Sequence, residues 1–210
     1  MAVATKSKEK VIELLPIQIE EFEVQILGVS PLIVHRFSEK AKRQIEEKQQ
    51  KKAKQAKEAR DPHAEFLASL YVMPGSVAGE EGAEYGIKAV WFKLAAVSAC
   101  RYSDGLKMTN VRGSFHVMAD AGDLVKLTYS DLEMRSDPVT IGMGSRDMRY
   151  RGQFNNWSCK LRVRYNAAAI TPEQIVNLLQ AGGFGCGIGE RRPSQQCSDQ
   201  FGMFEVALTK

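Results

Sequence analysis

The chain has 210 residues, 44% hydrophobic and 26% charged, which excludes wholesale disorder and suits a single domain with a real core. Its apolar runs fall short of the ~18–20 residues of a membrane span, and no apolar stretch follows the first lysines as a secretory signal requires. The net charge of +4 is unevenly spread: Arg36 to Arg60 holds ten Lys or Arg against four Glu, and the remainder 19 basic against 21 acidic residues.

In chain order, residues 1–15 form a polar lead. Ile17 to Val29 alternates as a strand with one buried face, Phe22, Val24 and Ile26 inward, with a phase break near Glu20–Glu21. Leu32 to Val34 continues it after Pro31. Residues 38–59 are strong helix formers with Ser38 as a candidate cap, and Ile45 is their one large aliphatic residue. A helix polar all round projects into solvent or meets something polar. Asp61-Pro62 opens a second helix with Phe66, Leu67 and Leu70 on its apolar side. Residues 74–86 are a glycine-rich loop, and Ala89 to Tyr102 reads as a buried helix. Ser114–Met118 and Leu124–Thr128 are short strands, Val139–Ile141 is a candidate third, and Met143–Met148 is a loop. Phe154 to Tyr165 is the clearest strand of the second half. Thr171-Pro172 starts a helix through Leu179 that Gly182-Gly183 is expected to stop, and Phe204–Leu208 closes the chain.

This order predicts an α+β fold: a ferredoxin-like or RNA-recognition-motif antiparallel sheet, helices on one face, a Lys-rich helical insertion over 36–70 and a C-terminal glycine-rich loop. One domain over 1–210 is expected. The four cysteines (Cys100, Cys159, Cys186, Cys197) form no C-x-x-C pair, and only three histidines occur. Neither a disulfide framework nor a zinc site is therefore expected, no cofactor is implied, and the cytoplasm is the expected compartment.

Three groups of residues are candidates for polyanion binding. Lys51, Lys52 and Lys54 carry the density of the basic segment. Arg146, Arg149 and Arg151 precede Lys160, Arg162 and Arg164, which alternation sends to one face of their strand, where cations ~7 Å apart can follow phosphates. Tyr150, Phe154, Trp157 and Tyr165 lie among them as candidate stacking rings; the alternative is a half-exposed strand with solvated arginines. After the last helix come Gly187 and Gly189 and then Arg191 and Arg192, where glycine backbone and guanidinium forks suit phosphate. A plain helix-to-strand connection is the competing reading. Arg112-Gly-Ser-Phe-His-Val117 is similar to the basic strand of RNA-recognition motifs, with a plain strand as the alternative. No phosphate-binding Walker loop, dinucleotide fingerprint, G-x-S-x-G or H-E-x-x-H occurs.

The glycine-rich loop running through basic residues into Phe201-Gly-Met-Phe-Glu-Val206 resembles the signature loop of the repeat-associated (RAMP) proteins of CRISPR effector complexes. Val29-Ser-Pro-Leu-Ile-Val34 is similar to the opening of that superfamily. The chain is also similar, through most of its length, to small proteins encoded by tailed bacteriophages. The resemblance implies a ferredoxin-like core and a single-stranded nucleic-acid partner. Backbone-type members bind RNA as a row of subunits, and processing-type members cleave it without metal, often with a histidine where His35 stands. The leading expectation is a non-enzymatic, sequence-tolerant binder of single-stranded RNA or DNA, assembling side by side with its own copies along the strand in a bacterial host. The alternatives are a metal-independent ribonuclease with His35 as general base, and a phage module that binds a protein by mimicking a CRISPR subunit.

Overall fold

Alternation, caps and glycines place the elements as follows in a computed structural model that describes residues 16–37, 39–50, 59–103, 105–141, 144–193 and 197–207. In chain order they are β1 (Ile19–Gly28), β2 (Leu32–Val34), α1 (Glu39–Gln49), α2 (Pro62–Ala68), β3 (Gly86–Lys88), α3 (Ala89–Ala99), α4 (Met108–Ser114), β4 (Phe115–Met118), β5 (Leu124–Lys126), β6 (Asp131–Ile141), β7 (Ser145–Asn155), β8 (Ser158–Asn166), α5 (Pro172–Gly185) and β9 (Phe204–Val206). None of the helices is long and apolar enough to cross a membrane.

The main sheet has the order β4-β8-β1-β9, with every neighbouring pair antiparallel. With α3 between β1 and β4, and α5 between β8 and β9, the core runs βαββαβ with its third and first strands central. That is the ferredoxin-like topology. The period of two along the strands buries Val24, Ile26, Leu161, Val163, Phe115 and Phe204 in one core with α3 and α5. The Phe92 ring of α3 meets Phe204 edge-on at 5.3 Å.

Between these core elements the chain builds a second sheet, β2-β7-β6, whose β6 and β7 form an eleven-residue hairpin. Helix α2 begins as its sequence dictates: the Asp61 carboxylate accepts the amides of His63 and Ala64, and Pro62 fills the first turn. The helix ends under β7, where Ser69 Oγ accepts the Gly152 amide at 3.0 Å. A third pair, β3-β5, closes the glycine-rich loop.

Four readings of the sequence change. First, β1 is continuous through Glu20–Glu21, and Ile17 and Ile19 are exposed. Second, residues 145–148, expected to be a loop, belong to β7. Third, Phe154 to Tyr165 is two strands in different sheets. Asn156 turns at φ +46°, and Trp157 anchors the corner by donating its indole N–H to the Ser30 carbonyl at 2.8 Å. Fourth, α5 runs past Gly182-Gly183 to Gly185. Those glycines do not stop the helix; they let it pack. A Cβ at Gly182 would stand 2.7 Å from the Ala95 backbone of α3, and one at Gly183 would run into the Phe204 carbonyl of β9.

Candidate nucleic-acid interface

Alternation along β8 sends Lys160, Arg162 and Arg164 to the sheet face opposite α3 and α5, all exposed. The antiparallel register, however, sets Glu21 opposite Arg164, Glu23 opposite Arg162 and Gln25 opposite Lys160. Lys160 pairs diagonally with Glu23 at 2.5 Å and Arg164 with Glu21 at 3.6 Å, while Arg162 donates to the Ala119 carbonyl at 3.4 Å. The basic row thus lies against an acidic row. Such exposed pairs add little stability, but they cancel most of the field a phosphate chain would feel. Nor does this face carry stacking rings from the neighbouring strands. Phe154, Trp157 and Tyr165 are buried, and Tyr165 donates its hydroxyl to Glu20 at 2.7 Å. Arg112 and Phe115, read as parts of one basic strand, separate: Arg112 lies in α4, and Phe115 is buried in the core.

The β6–β7 hairpin holds the next group. Arg151 is 4% exposed, and Asp137, diagonal to it on the neighbouring strand and on the same face, is 5% exposed. A buried charge must be compensated. Asp137 accepts from Arg135 Nε at 2.9 and 3.0 Å, from Arg191 Nη1 at 2.7 Å and from Arg151 Nη1 at 3.3 Å; Arg151 also pairs with Glu190 at 3.7 Å. Burial pushes the Asp137 carboxyl up, but the hydrogen bonds and charge of Arg135, with Arg191 and Arg151, outweigh it and hold it below its ordinary value. Arg151, expected at the surface, is therefore withdrawn into the fold.

The glycine-rich loop is fastened to this cluster. Arg191 takes φ +52°, in the left-handed region, and bonds Asp199 at 2.6 Å as well as Asp137. The guanidinium carbons of Arg135 and Arg191 lie 4.7 and 5.5 Å from the Phe201 ring centroid. The backbone amides expected to cradle phosphate are largely used within the protein. Gly187 N–H donates to the Gly182 carbonyl, Ile188 N–H to Gly202 and Glu190 N–H to Ile33. Gly187 and Gly189 have φ of +58° and +77°, and a Cβ on Gly189 would strike the Ile33 carbonyl of β2. Their glycine character follows from this close approach of loop and strand, and so does the correction to Arg191: its charge is spent inside. Arg192 stays exposed, donating to the Cys186 carbonyl at 3.2 Å.

Two further candidates retain their charge. Arg146 and Arg149, toward the hairpin tip, form no salt bridge among the described residues. The basic segment reaches the same place. Arg60, at its end, pairs with Asp147, donates to the Met148 carbonyl at 2.6 Å and to Glu65 at 2.7 Å, and lies 5.8 Å from the Tyr150 ring centroid. This juxtaposition has no sequence signal, since nothing in residues 36–60 names a partner in residues 145–150. Helix α1 covers Glu39–Gln49, whereas Lys51, Lys52 and Lys54 lie outside the described residues.

His35 ends β2 beside this cluster. Its Nδ1 is buried without a hydrogen-bond partner among the described residues. Burial, opposed by Glu190 and aided by Arg151 and Arg149, holds the ring below its ordinary pKa, so it is neutral at pH 7. Among the described residues, no cluster of His, Cys, Asp and Glu could hold a metal.

No protein-family model matches the sequence, and no curated protein matches it. Among solved structures, the chain is similar to the crystal structure of Cmr6 from Pyrococcus furiosus, with a TM-score of 0.44 and 10% identity over 91% of this chain and 100% of that one. A likeness of that size carries no argument, and the functional reading rests on the geometry above.

Proposed function

We propose that the protein binds single-stranded nucleic acid, RNA or DNA, without catalysis and with little regard to sequence. The observation that carries this reading is the fastening of Arg60 to Asp147 and Met148, which holds the end of the basic segment at the strand that carries Arg146 and Arg149. Concentrated positive charge at one edge is what a polyanion feels. The segment over 36–70 then serves as an arm inserted into one domain, and copies line up along the strand as the resemblance of the chain's two ends implies. The reading is tested by titrating labelled homopolymers at several salt concentrations. Affinity falls log-linearly with salt, with a slope of about −0.7 per phosphate neutralised on a single strand. Absence of binding at low salt, or affinity indifferent to salt, refutes it.

One observation favours a second reading. His35 follows β2, where the Ile33 carbonyl accepts the Glu190 amide, and burial holds its ring below its ordinary pKa, an arrangement able to take a proton from a 2′-hydroxyl. Cleavage of RNA without metal, abolished by His35→Ala, would establish the ribonuclease in place of the binder.

A further inference from the structure

A strand gripped by a basic edge is held better where its bases can stack, and the rings that the sequence placed among the arginines are mostly buried. Phe37 is half exposed, and two other rings are more open still. Phe184 is 75% exposed, more than any other large hydrophobic residue described, and Tyr102 is 60% exposed. The helix period explains Phe184. With Ile175, Leu178, Leu179, Gly182 and Gly183 turned to the core, position 184 falls on the far side of α5. Tyr102 packs on the next residue of the helix, where glycine leaves room for it. The Tyr102 ring lies over Gly185, where an added Cβ would stand 2.7 Å away, and its hydroxyl donates to the Gly185 carbonyl at 3.3 Å.

Two guanidiniums frame these rings. Arg101 precedes Tyr102 and donates only to the Ser98 carbonyl, at 3.0 Å; Arg192 donates to the Cys186 carbonyl. Arg192 is thereby held at Cys186, the residue after α5, and Arg101 precedes the tyrosine that bonds Gly185, the last residue of that helix. Both are exposed, and neither forms a salt bridge among the described residues, whereas Arg60, Arg135, Arg151, Arg164 and Arg191 each meet a carboxylate. The chain links the place to the hairpin of the basic edge. Arg191, next to Arg192, is bonded to Asp137 of β6, and the far end of that hairpin carries Arg146.

We propose that Phe184 and Tyr102, with Arg101 and Arg192, form a base-stacking platform for the same single-stranded nucleic acid. This rests on the reading under Proposed function. The chemistry is that of sequence-tolerant strand binding: every base has a π-face for an aromatic ring, and each neighbouring phosphate takes a guanidinium. A strand leaving the hairpin passes Arg192 to reach the two rings. A protein partner burying these rings would have to bring carboxylates for two arginines, and nothing else in the patch asks for them.

The test uses the full chain, homopolymer oligonucleotides and fluorescence anisotropy at several salt concentrations. Phe184→Ala and Tyr102→Ala each lower affinity about tenfold or more, the usual cost of losing one stacked base, with the salt slope unchanged. Arg101→Gln and Arg192→Gln each flatten the slope by about one phosphate contact. Phe184→Trp keeps the affinity, and its added emission is quenched on binding. Circular dichroism melts confirm that the variants fold, as expected for an exposed ring. If the wild type binds and both alanine variants bind equally well, the platform is wrong and the basic edge stands. Should Phe184→Ala instead abolish self-association and leave nucleic-acid binding intact, the patch is a protein contact and the platform is likewise wrong. A wild type that binds no single strand refutes both readings.

Discussion

Replacing Asp137 by alanine separates structural arginines from binding ones. Asp137 is buried and accepts from Arg135, Arg191 and Arg151, the last of which is 4% exposed. Without it, Arg151 keeps only Glu190 at 3.7 Å, a carboxylate itself 41% exposed. Removing one partner of a buried pair costs about 3–5 kcal/mol, because the remaining charge stays desolvated. The residual Glu190 contact argues for the lower figure, about 3 kcal/mol. In a chain of this size each kcal/mol moves Tm by about 2–4 °C, so the melt monitored by circular dichroism falls by about 6–12 °C. Arg162→Ala, on the open face of the sheet, shifts it by no more than about 2 °C. The acid limb carries the same signature. The Asp137 carboxyl lies below its unfolded value, so its contribution is present above an ordinary carboxylate pKa near 3.8 and is lost as pH falls through the depressed one. The variant therefore loses less stability than the wild type on acidification below about pH 4. A melt of Asp137→Ala within about 2 °C of wild type would refute the structural assignment of Arg151 and Arg191 and return both to the binding surface.

Four further outcomes follow from the geometry. Glu21→Gln with Glu23→Gln uncovers Lys160, Arg162 and Arg164, so affinity for single strands rises and the salt slope steepens by about one to two contacts; anisotropy titrations check it. Gly183→Ala drives a methyl group at the Phe204 carbonyl and costs about 1–3 kcal/mol in urea unfolding. His35 is held below its unfolded pKa, so the wild type loses stability as pH falls below about 6.5; His116 acts in the same direction. His35→Gln flattens that part of the profile, read as Tm against pH. Replacing residues 39–58 by a Gly/Ser linker leaves the melt nearly unchanged and weakens strand binding.

What the sequence revealed and what it hid divide along physical lines. The alternation of Cys159, Leu161 and Val163 announced β8, and the Thr171 capping box announced α5, because each signal is local. The β6–β7 hairpin escaped because one of its faces holds Glu133, Arg135, Asp137, Arg149 and Arg151, and a polar ladder has no hydrophobic period. Gly182 and Gly183 read as a stop because a close helix contact and a chain break use the same residue. Arg151, Arg164 and Arg191 mislead as binding candidates for a related reason. A guanidinium looks the same in a sequence whether it faces water or Asp137, and the carboxylates that claim Arg151, Arg164 and Arg191 come from distant positions. Phe184 was overlooked because an aromatic residue on a helix is ordinarily core; only the twist of α5 shows it pointing outward.

The central position of β1 also governs how the chain can assemble. Ile26 lies between Cys159 and Val206, Tyr165 reaches Glu20 across 145 positions, and Met203 reaches Ser30 across 173. Loop closure over such spans must precede the contacts that reward it, so the main sheet forms late and slowly. On the ribosome β1 has neither neighbour until β8, at the start of the last quarter of the described chain, has emerged, and its apolar Val24 and Ile26 wait uncovered meanwhile. The β6–β7 hairpin, whose strands are separated by only three residues in sequence, forms early by comparison. It can give the incoming glycine-rich loop a ready surface before the sheet closes.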